Sequence, residues 1–257
     1  MSKKDALVYG RRACLAVAEC RPTDILRVFY TTEGEFKDLG PLLKACAHQR
    51  KPYREVSSDE LKKICKSTHH EGVVVVVQRS PRVRLDDLWG TVQNEANRLP
   101  IWIAFDGVAN DHNLGAIARS LAWFGGSGLL WEGNRPMLSG SALRIAQGGA
   151  ERLHLVTTPH LGRSLQWLKE QGCRVIGADQ RGDLSLFDLT LGSSNSSKRT
   201  PVCWVLGNEQ FGLSKATRDL CDQIVSIPGS GWVESMNVSV SAGILISHSH
   251  AQYSQSR

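Results

Sequence analysis

Short apolar stretches alternate with segments of helical periodicity along nearly the whole chain. In the first 78 residues this pattern predicts three helices and three strands. The predicted helices cover residues 13–19, 39–48 and 58–65, and the predicted strands cover 25–30, 53–56 and 72–78. A Ser-x-x-Glu-like cap marks the start of the third helix. Such alternation predicts a small α/β domain.

From residue 99 onward the alternation resumes with longer helical segments. Predicted strands cover residues 101–105, 128–131, 153–157, 174–178, 202–206 and 223–227, and predicted helices cover 114–124, 142–147, 162–170, 215–220 and 238–253. Apolar strands that alternate with helices are typical of a parallel sheet covered on both faces. The second region is therefore predicted to be a larger α/β domain.

A polar segment separates the two patterned regions. It covers residues 80–98, has a proline near its start, and is predicted to be a linker that becomes partly helical from Leu85. The predicted division is thus 1–79, 80–98 and 99–257. A run rich in serine, residues 192–200, predicts a surface loop.

The composition is that of a globular protein, with 41% hydrophobic and 22% charged residues. No apolar run approaches the roughly 18–20 residues that a membrane span needs. The first 12 residues lack the apolar core of a secretory signal. Seven scattered cysteines, never spaced C-x-x-C, indicate reduced thiols and a cytoplasmic location rather than a disulfide framework.

The positive charge is unevenly distributed. Residues 1–98 carry 18 Lys and Arg against 13 Asp and Glu, whereas residues 99–257 carry 13 against 12. Basic patches strengthen nucleic-acid binding by neutralising phosphates and releasing counterions. A solvated basic surface that promotes solubility accounts for the same excess. Charge alone leaves both interpretations open.

Three segments of the second region carry motifs. Residues 106–119 read DGVANDHNLGAIAR, residues 205–214 read VLGNEQFGLS, and residues 227–244 read IPGSGWVESMNVSVSAGI. In order and content they resemble the three signatures of the SpoU branch of the SPOUT methyltransferases, which methylate RNA ribose at the 2′-oxygen. Gln210 stands where the second signature usually has a small residue. Residues 67–73, STHHEGV, resemble the end of the family's substrate-binding module.

The resemblance implies an α/β protein in which a SPOUT-type trefoil-knotted parallel sheet follows a small, ribosomal-protein-like α/β domain. It implies S-adenosyl-L-methionine as the cofactor, tRNA or rRNA as the substrate, and a homodimer. Neither a membrane nor DNA is expected as a partner. The implied activity is S-adenosylmethionine-dependent methylation of a ribose 2′-oxygen.

The resemblance also assigns residues. The implied catalytic group is Asn113, Arg119, Glu209, Ser235 and Asn237, and the implied cofactor-binding group is Leu206, Gly207, Ile227, Met236 and Val238. Glu234 is expected to support the third loop. No metal site is predicted, because Cys65, His69 and His70 lack a fourth ligand at a recognised spacing.

Two of these residues have a second interpretation. Asn113, just before a predicted helix, could serve as its N-cap. Arg119 is the family's proposed catalytic base, but a guanidinium is effectively always protonated. A role in binding phosphate and stabilising a developing alkoxide is therefore physically preferable.

Two other functions compete with methyl transfer to ribose. The first is a catalytically silent RNA-binding or ribosome-assembly protein that retains the fold. The presence of the implied catalytic residues argues against it, and cofactor binding would distinguish the two. The second is methylation of guanine N1, as in other SPOUT enzymes, whose motifs differ from the ESMNVS segment found here.

Overall fold

The structure is a computed structural model, and its residues fall into two compact units. It describes residues 5–33, 38–78, 83–93, 95, 97–133, 138–191 and 199–255. The first unit comprises Met1–Pro81 and Leu138–Arg152, and the second comprises Arg82–Met137 and Leu153–Arg257. Most of the predicted loop 192–200 and the start of the predicted linker lie outside the described residues.

The first unit is built on a four-stranded sheet. Its elements are β1 (Asp5–Tyr9), α1 (Arg11–Cys20), β2 (Ile25–Tyr30), α2 (Gly40–His48), β3 (Tyr53–Glu55), α3 (Ser58–Cys65) and β4 (Val73–Gln78). The strand order is β1-β4-β2-β3, with β4 antiparallel to both neighbours and β3 parallel to β2. The five consecutive valines of β4 are all buried, because this central strand is covered on both faces.

The predicted cap of α3 is confirmed in atomic detail. Glu60 N–H donates to Ser57 Oγ at 3.3 Å, and Ser57 N–H donates to Glu60 Oε2 at 3.1 Å. This reciprocal pair satisfies two backbone donors at the start of the helix. β1, by contrast, is absent from the sequence-based prediction, since five residues near the terminus give little periodicity.

The second unit is built on a seven-stranded parallel sheet. The remaining elements are α4 (Leu85–Gln93), β5 (Leu99–Asp106), α5 (Asp111–Trp123), β6 (Gly126–Glu132), α6 (Gly140–Ile145, part of the first unit), β7 (His154–Thr158), α7 (Leu161–Glu170), β8 (Arg174–Ala178), β9 (Leu184–Ser185), β10 (Val202–Gly207), α8 (Lys215–Leu220), β11 (Gln223–Ser226) and α9 (Val238–Gln255). The strand order is β7-β6-β5-β10-β8-β11-β9, and every pair is parallel. The predicted parallel α/β architecture is confirmed.

The core of the second unit centres on β5 and β10. Trp102 and Trp204, one from each strand, are almost fully buried. Trp204 Nε1–H donates to Ser249 Oγ at 2.9 Å, so its polar edge is satisfied within the core. The Trp89 ring of α4 lies 5.9 Å from Trp102, which ties the helical part of the predicted linker to the sheet.

Residues 138–152 group with the first unit, although they are distant from it in sequence. Arg21 of α1 forms a two-point ion pair with Glu151, with Nε–Oε2 and Nη2–Oε1 distances of 2.6 and 2.9 Å. Gly148 has a φ of +85°, and a Cβ there would lie 2.7 Å from the Cβ of Ala16. The close approach at Gly148 and the ion pair of Glu151 therefore hold this segment against α1.

The cysteines are all free. None of the seven forms a disulfide, and five of them are buried. Burial raises the pKa of Cys221 to about 11, so its thiol stays protonated near neutral pH.

The described residues contain no helix long and apolar enough to span a membrane, and no group of three or more His, Cys, Asp or Glu side chains placed to hold a metal ion.

Candidate active site

One asparagine links the three motif-bearing segments. The Asn113 amide nitrogen donates to Glu209 Oε1 at 2.9 Å, and the Asn237 amide nitrogen donates to Asn113 Oδ1 at 3.1 Å. Asn113 is buried, whereas Glu209 and Asn237 are exposed. Both hydrogen-bonding ends of a buried amide are thus satisfied by residues about 100 positions away in sequence.

The sheet explains why these segments meet. β5 and β10 are adjacent and parallel, with Asp106 opposite Gly207 at their carboxyl ends. The loops that follow two parallel neighbours emerge at the same edge of the sheet. Asp106 Oδ2 accepts the Ser214 N–H at 2.7 Å, and the Asn208 amide donates to the Gly107 carbonyl at 2.8 Å. These contacts join the first motif to the second.

Asn110, and not Asn113, is the N-cap of α5. Asn110 Oδ1 accepts the N–H groups of His112 and Asn113, at 2.9 and 3.4 Å. The helix begins at Asp111, three residues before its predicted start. Capping as an interpretation of Asn113 is therefore wrong, because its side chain lies in the first turn and is free to reach the other two motifs.

The second motif forms a loop that folds back on β10. Asn208 N–H donates to the Gly212 carbonyl at 3.0 Å, and Gly212 N–H returns a bond to Asn208 at 2.9 Å. A Cβ on Gly207 would lie 2.2 Å from the Gly212 carbonyl carbon and 2.3 Å from the Leu213 nitrogen. Only glycine fits there, since both obstacles are backbone atoms.

The third motif opens α9. Asn237 Oδ1 accepts the Ser239 N–H at 2.8 Å and its hydroxyl at 2.6 Å, an N-cap arrangement. The preceding loop is exposed, with Trp232 at 92% and Met236 at 43% of full accessibility. Within residues 228–236, Trp232 N–H donates a hydrogen bond to Ser230 Oγ at 3.4 Å. Within the described part of the chain, most backbone groups of this loop therefore have no hydrogen-bond partner and can contact a ligand.

The predicted residues do not all converge. Asn113, Glu209 and Asn237 form one network, and Gly207 lies on the same edge of the sheet. Ser235 is exposed and makes no hydrogen bond to any described residue. Leu206 is buried, so it could meet a cofactor only through its backbone. Ile227 and Val238 are half-buried at the two ends of the third loop.

Arg119 is separate from this network. It is exposed on α5 and forms no hydrogen bond or ion pair within the described part of the chain. Six residues of helix place it about 120° around the axis from Asn113. Its guanidinium is therefore open to an incoming anion.

Sequence reasoning missed two residues that organise the site. Asp106 and Asn208 fasten the first loop to the second through backbone groups. Asn208 Oδ1 also accepts the N–H of Gln210 at 2.9 Å, which shapes the turn. The signal was present, because Asn208 belongs to the GNE sequence, and Asp106 directly follows the strand predicted over residues 101–105.

Comparisons with known proteins match both units. Residues 100–247 match the SpoU rRNA Methylase family, and residues 7–83 match the RNA 2′-O ribose methyltransferase substrate binding family. A 23S rRNA (guanosine-2′-O-)-methyltransferase, RlmB, from Neisseria meningitidis serogroup B is 32% identical over 95% of this chain and 94% of its own length. RlmB from Nitrosomonas europaea is 30% identical, over 96% and 92%.

The fold has relatives among solved structures. The SpoU methyltransferase AviRb from Streptomyces viridochromogenes, solved with AdoMet, superimposes with a TM-score of 0.78 at 25% identity, covering 98% of this chain and 92% of that one. An AdoMet-bound rRNA methyltransferase from Sinorhizobium meliloti superimposes with a TM-score of 0.77 at 19% identity, covering 96% and 87%, and supports the fold alone. The chain therefore belongs to the SpoU rRNA methylase family.

Proposed function

We propose that this chain transfers a methyl group from S-adenosylmethionine to a ribose 2′-hydroxyl of ribosomal RNA. The observation that carries the proposal is the Asn113 bridge, which joins all three motif segments at one edge of the parallel sheet. Two relatives that match nearly the full length are named for 2′-O methylation of guanosine in 23S rRNA. Ribosomal RNA is therefore preferred to tRNA as the substrate.

The loops fit the cofactor. S-adenosylmethionine presents an adenine ring, a ribose and charged amino-acid groups, and when bound it supplies an electrophilic methyl group. The third loop offers exposed apolar side chains and free backbone groups, and Gly207 keeps the second loop free of a side chain at the strand end. We assign cofactor binding to Leu206, Gly207, Ile227, Met236 and Val238.

The remaining predicted residues position the loops and the substrate and stabilise charge on the reacting oxygen. The bridge from Asn113 to Glu209 and Asn237 fixes the spacing of the three loops, and Ser235 lies in the third loop ready to meet substrate. Arg119 binds RNA phosphate and stabilises negative charge on the attacking 2′-oxygen while the proton of that hydroxyl passes to solvent water, because a guanidinium is a permanent donor. Positioning of the nucleophile is the main source of catalysis in this scheme.

The first unit would hold the RNA. An open groove of about 780 Å³ there is lined by Asp59, Ser67 and Thr68 together with three lysines of the α3 region, Lys62, Lys63 and Lys66. Three cations against one carboxylate suit a phosphate backbone. We propose residues 1–79 as the RNA-binding domain, 80–98 as the linker, and 99–257 as the methyltransferase domain.

Three further properties follow from family membership as proposals. They are a trefoil knot in the methyltransferase domain, a homodimer, and a cytoplasmic location. Phe211, 84% exposed, and Val240, 52% exposed, flank the candidate site and support the dimer, because a partner could cover them.

The test is transfer of tritiated methyl groups from S-adenosylmethionine to ribosomal RNA isolated from cells that lack this protein. We expect label at ribose 2′-oxygens, none on a matched transcript with 2′-deoxy nucleotides, and none with Arg119→Ala protein, whose cofactor affinity should be unchanged. Label on a base nitrogen or on protein would refute the proposal.

The catalytically silent alternative makes a different prediction. A descendant that only binds RNA has no need of the cofactor loops. Calorimetric titration with S-adenosylmethionine should detect binding in a methyltransferase and none in such a protein.

A further inference from the structure

A second pocket lies in the methyltransferase unit, at the opposite end of β5 from the candidate active site. It is an open depression of about 470 Å³ near Leu99, where β5 begins, and it takes in the end of α5 at Trp123. Leu99 and Asp106, the two ends of this strand, are about 23 Å apart along it. The pocket is therefore distinct from the cofactor loops.

An exposed indole borders this pocket. Trp123 is 84% exposed at the last position of α5, and the Phe124 and His250 rings beside it are 5.2 Å apart. An indole left in water loses the benefit of burial, so a large exposed one is a candidate for contact with a ligand. Base stacking on aromatic rings is a common way for proteins to hold unpaired RNA.

The other lining residues are cationic or polar. Arg98 and Arg199 both line the pocket, and none of the described residues that line it is Asp or Glu. Arg199 Nε–H donates to the Tyr253 carbonyl at 3.2 Å, which positions the guanidinium, and its other N–H groups form no hydrogen bond to a described residue. Glu95 pairs with Arg98 from outside the pocket, so Arg199 is the stronger anion-binding group.

His250 adds a polar contact of defined orientation. Its Nδ1 lies 3.3 Å from the Phe124 carbonyl, and a carbonyl can only accept, so Nδ1 carries the hydrogen. In the neutral ring Nε2 is then an acceptor, suited to a ribose hydroxyl or an exocyclic amino group.

The position of the pocket relates it to Arg119. Arg119 and Trp123 are four residues apart on α5, so they lie on one face of the helix, about 6 Å apart along its axis. Asn113, at the candidate active site, is about 15 Å from Trp123 along the same helix. One exposed face of α5 therefore leads from the proposed catalytic arginine to the pocket.

We propose that this pocket binds a nucleotide of the substrate RNA that flanks the ribose to be methylated. Its base stacks on Trp123, and its phosphate contacts Arg199. The inference rests on the proposed function, and it adds a second RNA contact on the methyltransferase unit, which would help select the target ribose.

The test compares binding of ribosomal RNA from cells that lack the protein, measured without cofactor. Trp123→Ala should weaken binding about 5- to 100-fold, the usual effect of removing one stacking platform, whereas Trp123→Phe should keep most of the affinity. Because Trp123 is exposed, neither change should alter the melting temperature. Arg199→Gln should weaken binding and lower the salt dependence of log Kd by about one phosphate contact.

Two matched controls lie outside the pocket on the same unit. Phe187→Ala removes another exposed aromatic ring, 64% exposed, and Arg163→Gln removes an exposed arginine of α7. Both should bind RNA like the parental protein. Affinity for S-adenosylmethionine should be the same in every variant.

The outcomes separate this inference from the proposed function. If Trp123→Ala protein binds RNA with the parental affinity, the proposed role of this pocket in RNA binding is wrong, even if the parental protein methylates RNA. Weaker RNA binding in that variant would support the pocket even if no methyl transfer occurs. If Trp123→Ala instead converts a dimer to a monomer in sedimentation, the surface joins two copies of the chain and the inference is wrong.

Discussion

At the residue scale, the candidate active site depends on two residues, Asn113 and Gly207, whose roles restrict the side chain at each position. Asn113 donates to a carboxylate and accepts from an amide at once, which an ionised aspartate at the same position cannot do because it has no donor. Gly207 occupies a position where any side chain would overlap backbone. The motifs identified both residues from sequence. They did not identify the contact partners, which come from loops about 100 residues apart.

Asn113 in the first turn of α5 and Asn110, its N-cap, form a matched pair for substitution. Asn113→Asp removes the amide donor and places a second carboxylate against Glu209, so methyl transfer should fall about 10- to 100-fold, as expected for a lost bond to a charged group. Asn110→Asp should keep full activity, because aspartate caps a helix equally well. Steady-state kinetics of both variants provide the measurement. Equal activity in the two would show that the bridge is unimportant.

Two glycines form another matched pair. Gly207→Ala should displace the second loop and weaken S-adenosylmethionine binding at least tenfold, because the new Cβ would meet backbone atoms at 2.2–2.5 Å. Gly229→Ala in the third loop should change little, since a Cβ there meets nothing within 4 Å. Calorimetric Kd values for the cofactor test the pair. Unchanged affinity in Gly207→Ala would contradict the assignment of this loop.

At the element scale, periodicity located most helices and strands to within a few residues, because each buries one face or both. Periodicity did not predict features that depend on a capping residue or on contacts with a distant part of the chain. α5 begins at Asp111 because Asn110 caps it, and the apolar periodicity that marks the helix starts later, at Leu114. The packing of residues 138–152 on α1 depends on Glu151 and Gly148, and their local sequence does not reveal which helix they contact.

The ion pair that seats this segment can be tested against a neighbouring one. Glu151→Gln leaves the partly buried Arg21 with only its longer, 3.4 Å pair to Asp24 and should lower the free energy of unfolding by about 1–3 kcal/mol. Glu19→Gln breaks the adjacent pair with Arg152, which is more than half exposed, and should cost less than about 1 kcal/mol. Denaturant titration of the full chain measures both. Equal losses would mean that Glu151 has no special role.

A buried histidine gives the segment before β4 a pH dependence. His70 Nδ1 accepts the Gly72 N–H at 3.1 Å, and burial lowers the pKa of His70 below its usual 6.5. His70 therefore binds a proton more readily in the unfolded chain than in the folded one. The contribution of neutral His70 to the free energy of unfolding is full above pH 6.5 and declines as pH falls through the folded-state pKa.

Two neighbouring histidines allow this pH dependence to be tested. His70→Asn, which keeps an acceptor but cannot titrate, should flatten the decline in unfolding free energy between pH 7.5 and 5.5. The exposed neighbour His69 offers the control, and His69→Asn should retain the parental slope. A parental slope in His70→Asn as well would assign the pH dependence to other groups.

At the scale of the whole molecule, the family was predictable because three motifs occur in order, and the matches to relatives confirm it. The sheet order was not predictable from periodicity, since β10 lies between β5 and β8 although about 95 residues separate β5 from β10. Strand pattern states which segments are buried, but it does not state which neighbours they pair with. The division of charge left RNA binding and solubility both open, and the lysine groove of the first unit is the feature that favours RNA binding.

In the function proposed for this chain, three separated loops form one site for methyl transfer to a ribose in RNA. The most direct measurement is a map of 2′-O-methyl nucleotides in ribosomal RNA from cells that lack this protein and regain either the parental chain or Asn113→Asp. We expect that a specific 2′-O-methyl nucleotide is missing without the protein, returns with the parental chain, and stays largely missing with the variant. Identical maps in all three would contradict it.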